Sequence, residues 1–163
     1  MAKALRIKKR RETPCYGKEG KNVVDIENYV INQVTDDVAL SFPEAEVLGE
    51  YVEKPERFPC ACISLDDSAV YERSLDGSLF PHHLTDYFTV NVFSNKAGTK
   101  KSEAKALMAL IDESLCRMNM VRTMCSPTPN IDRSIYRITA RYRVVHDEGR
   151  DVDGVTVVHL YRE

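Results

Sequence analysis

The chain has 163 residues, 23 of them Lys or Arg and 25 Asp or Glu. That length is one domain's worth with room for a genuine core, and the near balance of charge argues against a whole-chain field that would draw it to nucleic acid or a membrane. No apolar run approaches the roughly 20 residues that span a bilayer, and the start lacks the basic-then-apolar pattern of a secretory signal, so a soluble, intracellularly made chain is expected.

Residues 1–21 open with Lys3, Arg6, Lys8, Lys9, Arg10 and Arg11 before the first acid, Glu12, and then break up in "TPCYGKEGK". They read as a basic arm. Arg6, Lys8, Lys9, Arg10 and Arg11 are its candidate contacts, and residues 22–163 form the domain proper. From there Val23, Ile26, Val30, Val34 and Val38 recur at steps of three and four, which predicts one face of a helix. Asn22 is a suitable N-cap, with Asp25 in the first turn against the positive helix end. Pro43 disfavours helical geometry at Phe42, so the helix should stop near Ser41.

A strand-like segment follows at 45–54, then a second at 57–65 in "RFPCACISL". Residues 66–84 read as a turn-rich connection, with a short strand near Val70. From 85 to 93 the period is two, with Phe88, Val90 and Val92 on one side and Tyr87, Thr89, Asn91 and Phe93 on the other. After the loop "SNKAG" the period lengthens: Ala104, Leu107, Met108, Ile111 and Leu115 mark a helix over about 99–118, with Thr99 as N-cap. "MVRTMCSP" alternates Met120, Arg122 and Met124 as a strand that Pro127 should stop. "SIYRITARYRVVH" (134–146) is the clearest strand. Tyr136, Ile138, Ala140, Tyr142 and Val144 form one face, and Arg137, Thr139, Arg141 and Arg143 the other. A polar turn, "DEGRDVDG", then leads to a returning strand at 155–161, an antiparallel hairpin. Strands that cluster without βαβ alternation predict an α+β fold: one mainly antiparallel sheet with two helices packed on one face.

Chemistry is sparse. The odd cysteine count (15, 60, 62, 116 and 125) fits no disulfide framework, and Cys60 and Cys62 suit small core positions on one side of a strand. His82-His83 sit in a loop-like stretch, Asp66-Asp67 at a strand end and Asp36-Asp37 late in the first helix. His146 and His159 could touch across the last hairpin. With no nucleophile elbow, zinc-protease pair or phosphate loop, no catalytic residue, cofactor or metal is assigned, and the expectation is that the chain is not an enzyme. An arginine stripe, Arg133, Arg137, Arg141 and Arg143, shares one strand face and must meet water, acids or phosphate. A nucleic-acid-binding module is therefore a competing reading, although the aromatic platform of an RNA-recognition sheet does not emerge.

The run "YFTVNVFSNKAGTKKSEAKALMALIDESLCRMNMVRTMCSPTPNIDRSIYRITARYRVVHD" resembles the tail-terminator and tail-completion proteins of long-tailed bacteriophages. The strand ending "VNVFSNK", the helix "GTKKSEAKALMALIDE", the link "MNMVRTMCSPTPN" and the strand "IYRITARYRVV" carry the likeness. Upstream, "FPCACISLDDSAVYERSLDGS" is similar to the family's strand and acidic-polar connection, so the resemblance spans about residues 22–146. It implies a non-enzymatic virion protein, a ring (commonly a hexamer) capping the tail tube where it meets the head. Its partners would be its own copies, the tail tube protein and the neck or head-connector proteins, with no membrane and with DNA at most passing through the lumen. The protein would lie at the head-proximal end of the tail, and in the host cytoplasm during assembly. The stripe Arg133, Arg137, Arg141 and Arg143 would line a subunit interface or the lumen. A completion or neck-joining role beside the terminator is the alternative within the family.

Overall fold

In a computed structural model of the chain, residues 3–6, 26–74, 83–150 and 156–162 are described. The elements are β1 (Lys3–Arg6), α1 (Ile26–Ser41), β2 (Glu46–Leu48), β3 (Cys60–Val70), β4 (Leu84–Ser94), α2 (Lys100–Arg117), β5 (Val121–Thr128), β6 (Tyr136–Arg150) and β7 (Thr156–Tyr161), with a 3-10 turn at Glu72–Ser74. Among the described residues, seven strands form one sheet in the order β1-β7-β6-β4-β3-β2, with β5 joined to β6. Only β2 and β3 run parallel; every other pair is antiparallel. The α+β expectation holds, and so does its mainly antiparallel sheet.

Both helices lie on one face because their apolar stripes bury, and are buried by, the even-numbered apolar positions of β4 and β6 and the odd-numbered ones at the start of β3. Ile26, Val30, Val34 and Val38 of α1 and Ala104, Leu107, Ile111 and Leu115 of α2 share a core with Ala61, Ile63, Phe88, Val90, Val92, Ile138, Ala140 and Tyr142. Polar ties lock the layers. Asp37 of α1 accepts from Ser114 Oγ at 2.5 Å and Arg117 at 3.0 Å. Asp112 of α2 accepts from Tyr142 Oη at 2.9 Å and Arg122 at 3.0 Å. Desolvation, then the adjoining Asp112 carboxylate, push the Tyr142 hydroxyl's pKa up.

The ends of α2 are built differently from the sequence reading. Thr99 occupies the N-cap but its side chain makes no capping bond; instead Ser102 Oγ donates back to the Thr99 carbonyl at 2.9 Å. At the other end Asn119 takes the left-handed conformation (φ 65°). Its N–H reaches the Cys116 carbonyl and that of Met120 the Leu115 carbonyl, both at 3.1 Å, the paired bonds of a Schellman cap. Asn tolerates this φ where most residues do not. Its side chain also donates to the Leu160 carbonyl at 2.8 Å, which ties the helix end to β7.

Strand lengths are where the expectations need correcting. The segment at 45–54 yields only three strand residues, and β3 runs on through Asp66-Asp67 to Val70 instead of turning at 66. A bulge at Asp66 makes this possible: the β3–β4 register slips between Leu65 and Asp67, so one extra residue is absorbed without losing the ladder. Likewise β6 continues through "DEGR", expected to be a turn, because β7 supplies its backbone partners out to Arg150. β5 continues through Pro127 to Thr128, which an edge strand allows because a proline there forfeits no needed ladder bond. A second bulge, between Arg122 and Met124, breaks the expected Met120–Arg122–Met124 alternation. Arg122 turns to α2, while Met124 is set beside Arg141. Finally Lys3–Arg6, taken as arm, form β1 on β7; Asn22, Val23 and the rest of 7–25 lie outside the described residues, as does His82.

Candidate functional site

The helices cover one face of the sheet, so function is sought on the other. Odd-numbered residues of β4 and β6 occupy it, and three zones follow one another along the strands.

Beside β2 a small second core forms. Cys60, Cys62, Phe93 and Ile135 are buried, with Leu48, Val52 and Phe58 folded over them. The two thiols are free and share a hydrogen bond. That bond draws the Cys62 thiol down to about 7, aided by the Val52 backbone and the nearby Arg137 cation, and pushes the Cys60 thiol up. An open groove of about 460 Å³ flanks this core, lined by Glu46, Leu48, Val52, Lys54, Pro55, Glu56 and Arg57. Arg137 belongs to the same zone. Its Nε and Nη2 donate to Asn91 Oδ1 at 3.1 and 2.8 Å, and Nη1 donates to Tyr51 Oη at 3.1 Å. Its guanidinium lies 5.1 Å from the Tyr51 ring centre and 5.5 Å from that of Phe93. Thr139 Oγ1 donates to the same Asn91 oxygen, and Thr128 Oγ1 to Thr139.

The middle zone is open. Arg141 is exposed. Its neighbours in register are Thr89 and Met124, and one row further Arg143 sits between Tyr87 and Val121. Met124 is 39% and Tyr87 38% exposed. On β3, Asp67 stands opposite Tyr87, and the bulged Asp66 accepts from Thr89 Oγ1 and Ser64 Oγ. An arginine, a methionine and a tyrosine thus lie exposed beside two aspartates.

The third zone is a histidine cluster at the far end of the strands. Asp147 accepts from Tyr161 Oη at 3.1 Å, meets His159 Nδ1 at 2.8 Å and has His83 Nε2 at 3.7 Å. His146 points to the other face, where its Nε2 lies 2.9 Å from Asp86 Oδ2, both nearly fully buried. Ser68 Oγ donates to that aspartate at 2.5 Å. The two hairpin histidines therefore do not meet, because successive strand residues face opposite ways and His159 is in register with Asp147, not His146.

The arginine stripe is less uniform than its spacing indicates. Arg133 precedes β6, exposed in a loop whose carbonyls at Arg133 and Ser134 accept from Lys100 Nζ. Arg137 is engaged within the chain. Arg143 is half-buried and engaged as well. Arg141 stands exposed on the strand. Arg6 lies in β1, and Lys8, Lys9, Arg10 and Arg11 lie outside the described residues. Sequence reasoning passed over Asn91 and Tyr51, which hold Arg137, and Tyr87 and Met124, which flank Arg141. Asn91 was findable as the amide amid valines in "TVNVF"; Tyr51 was not, since a loop residue far from the strand supplies it. Among the described residues no group of His, Cys, Asp and Glu is arranged to hold a metal ion, and no helix is long and apolar enough to cross a membrane.

No protein-family model and no curated protein matches the chain. Among solved structures, the chain is similar to that of the bacteriophage SPP1 gp17 protein, at 15% identity and a TM-score of 0.35, over 77% of this chain and 95% of that one.

Proposed function

We propose that this chain is a non-enzymatic structural subunit of a long-tailed phage virion, a tail terminator. In this reading it closes into a ring, a hexamer, that caps the tail tube and joins it to the neck at the head-proximal end of the tail. The observation that carries the reading is the open patch of Arg141, Met124 and Tyr87 beside Asp66 and Asp67. Tyr, Met and Arg are the residue types enriched where proteins meet proteins, and adjacent acids supply the complementary charge. The motifs of the phage-family resemblance support it further, since they fall on one contiguous unit, β4-α2-β5-β6. The aspartates that might have served chemistry are tied into the fold: Asp37 and Asp112 join helices to each other and to the sheet, and Asp86 and Asp147 join strands.

The test is native mass measurement of the purified protein with imaging of any ring. Closed rings are expected from the wild type. Arg141→Asp and Tyr87→Ser should shift it to single chains that keep the wild-type circular dichroism and still unfold cooperatively, with the melting temperature lowered only by the lost association. A wild-type protein that stays monomeric, and that purified tail tubes do not recruit, would overturn the proposal.

A further inference from the structure

The loop between β5 and β6 is tied down around an apolar side chain that it leaves in water. Ile131 is 88% exposed, although Ile135, four residues on, is buried under Leu48 and Val52. Asn130 Oδ1 accepts from the Ile131 N–H at 3.1 Å. Asp132 Oδ1 accepts from the Ser134 N–H at 2.9 Å and from Ser134 Oγ at 2.7 Å, and the Asp132 carbonyl accepts from the Ile135 N–H at 3.1 Å. Lys100 of α2 closes the loop, donating to the carbonyls of Arg133 and Ser134 at 2.8 and 3.0 Å. A loop ordered in advance gives up little freedom when it docks, and lost freedom is a large part of what association costs.

The groove of about 460 Å³ beside β2 has the matching chemistry. Leu48, Val52 and Pro55 are its apolar lining, and Glu46, Lys54, Glu56 and Arg57 put both signs of charge around them. On the loop, Ile131 is followed by Asp132 and Arg133, and the Arg133 side chain makes no ion pair among the described residues. An aliphatic side chain flanked by an acid and a base therefore answers an apolar lining flanked by bases and acids. The exposure of Ile131 shows that it does not fill the groove of its own chain. We propose that a second copy fills it: the Ile131 loop of one subunit seats in the groove of the next. Ile131 packs on Leu48, Val52 and Pro55, and Arg133 reaches Glu46 and Glu56. The inference rests on the ring reading above, because a loop and a groove are the two unlike surfaces that a head-to-tail contact joins. It also gives Arg133 the subunit contact expected from the sequence, made from the loop before β6 and not from the strand.

The test uses full-length chains with Cys15, Cys116 and Cys125 changed to Ser. One chain carries Ile131→Cys and the other Arg57→Cys; the two are co-expressed and treated with a short bismaleimide. The expected product is a covalent dimer that needs both variants and is absent with either alone. A single chain carrying both substitutions should give a ladder of products beyond the dimer, because each copy is joined to the next. In the otherwise native chain, Ile131→Asp should weaken association about tenfold or more, the worth of burying one isoleucine, with circular dichroism unchanged. The native mass of the unsubstituted protein is read alongside. A ladder that stops at two chains would mean a reciprocal pair and overturn the head-to-tail contact. Multimers with no cross-linked dimer and no effect of Ile131→Asp would end the seating and leave the ring standing. Single chains with no cross-link would end both.

Discussion

Arg137→Ala is the substitution whose effect the structure sizes best. The guanidinium makes two N–H bonds to one Asn91 oxygen and a third to Tyr51, and it stacks on Tyr51 and Phe93. Hydrogen bonds from a charged donor contribute about 1.5–3 kcal/mol and an exposed cation–π contact about 0.5–1. Thr139 still satisfies Asn91 after truncation, so the larger cost of an orphaned acceptor is avoided. The expected loss is about 2–4 kcal/mol, which for a chain of this size is a fall of about 5–15 °C in melting temperature. Arg141→Ala, four residues further along the same face of β6 and exposed, should change stability by less than ~0.5 kcal/mol. Urea unfolding followed by circular dichroism measures both, with an unchanged slope marking a true change in stability. If Arg137→Ala unfolded within 0.5 kcal/mol of wild type, about the noise of such data, the network would be energetically idle, and Arg137 would return as a residue free to meet a partner. The same logic makes Arg141, not Arg137, the arginine with which to test assembly.

Val30, fully buried in α1, should tolerate Asp only at a cost of several kcal/mol, because the new charge has no partner in the core; an unchanged melting temperature would refute the packing of α1. Titration of the unfolded chain should return all five thiols, before and after treatment with a chelator, whereas one zinc per chain would contradict the assignment of Cys60 and Cys62 to a small core. In the native protein one buried thiolate should appear by ultraviolet absorbance with a midpoint of about 7, and Cys60→Ala should move that midpoint up. Because folding lowers the Cys62 value, its contribution to stability is fully present above the ordinary thiol value of 9.0 and is lost as pH falls through about 7. Duplex DNA should bind weakly at physiological salt, and changing Lys8, Lys9, Arg10 and Arg11 to Ser, which leaves β1 in place, should remove most of that binding. Tight, salt-sensitive binding that Arg141→Ser abolishes while assembly persists would favour the nucleic-acid reading.

Where burial alone decides a position, one dimension was enough. The valine stripe of α1, the leucine–isoleucine stripe of α2 and the alternation in β4 and β6 each repeat at the period of their own element, and each buries the residues its period marks. Those stripes determined the fold class, the two helices and their common face, since an apolar stripe has no low-energy place but against another. What depends on a partner strand or a distant loop was decided only in three dimensions. "LDDSAV" and "DEGR" are polar and read as turns, yet both are strand because β4 and β7 bring backbone partners that a local pattern cannot supply. The bulge at Arg122–Met124 moved one side chain to α2 and the next to the open face, a change that no spacing announces. Four arginines looked equivalent by spacing. Tyr51, 86 residues from Arg137 in sequence, took up one of them, Arg133 fell in the loop before the strand, Arg143 is half-buried and engaged, and Arg141 remained exposed on the strand. Periodicity records which side of an element is dry. Which polar side chain is left for a neighbour depends on every other residue that reaches it first.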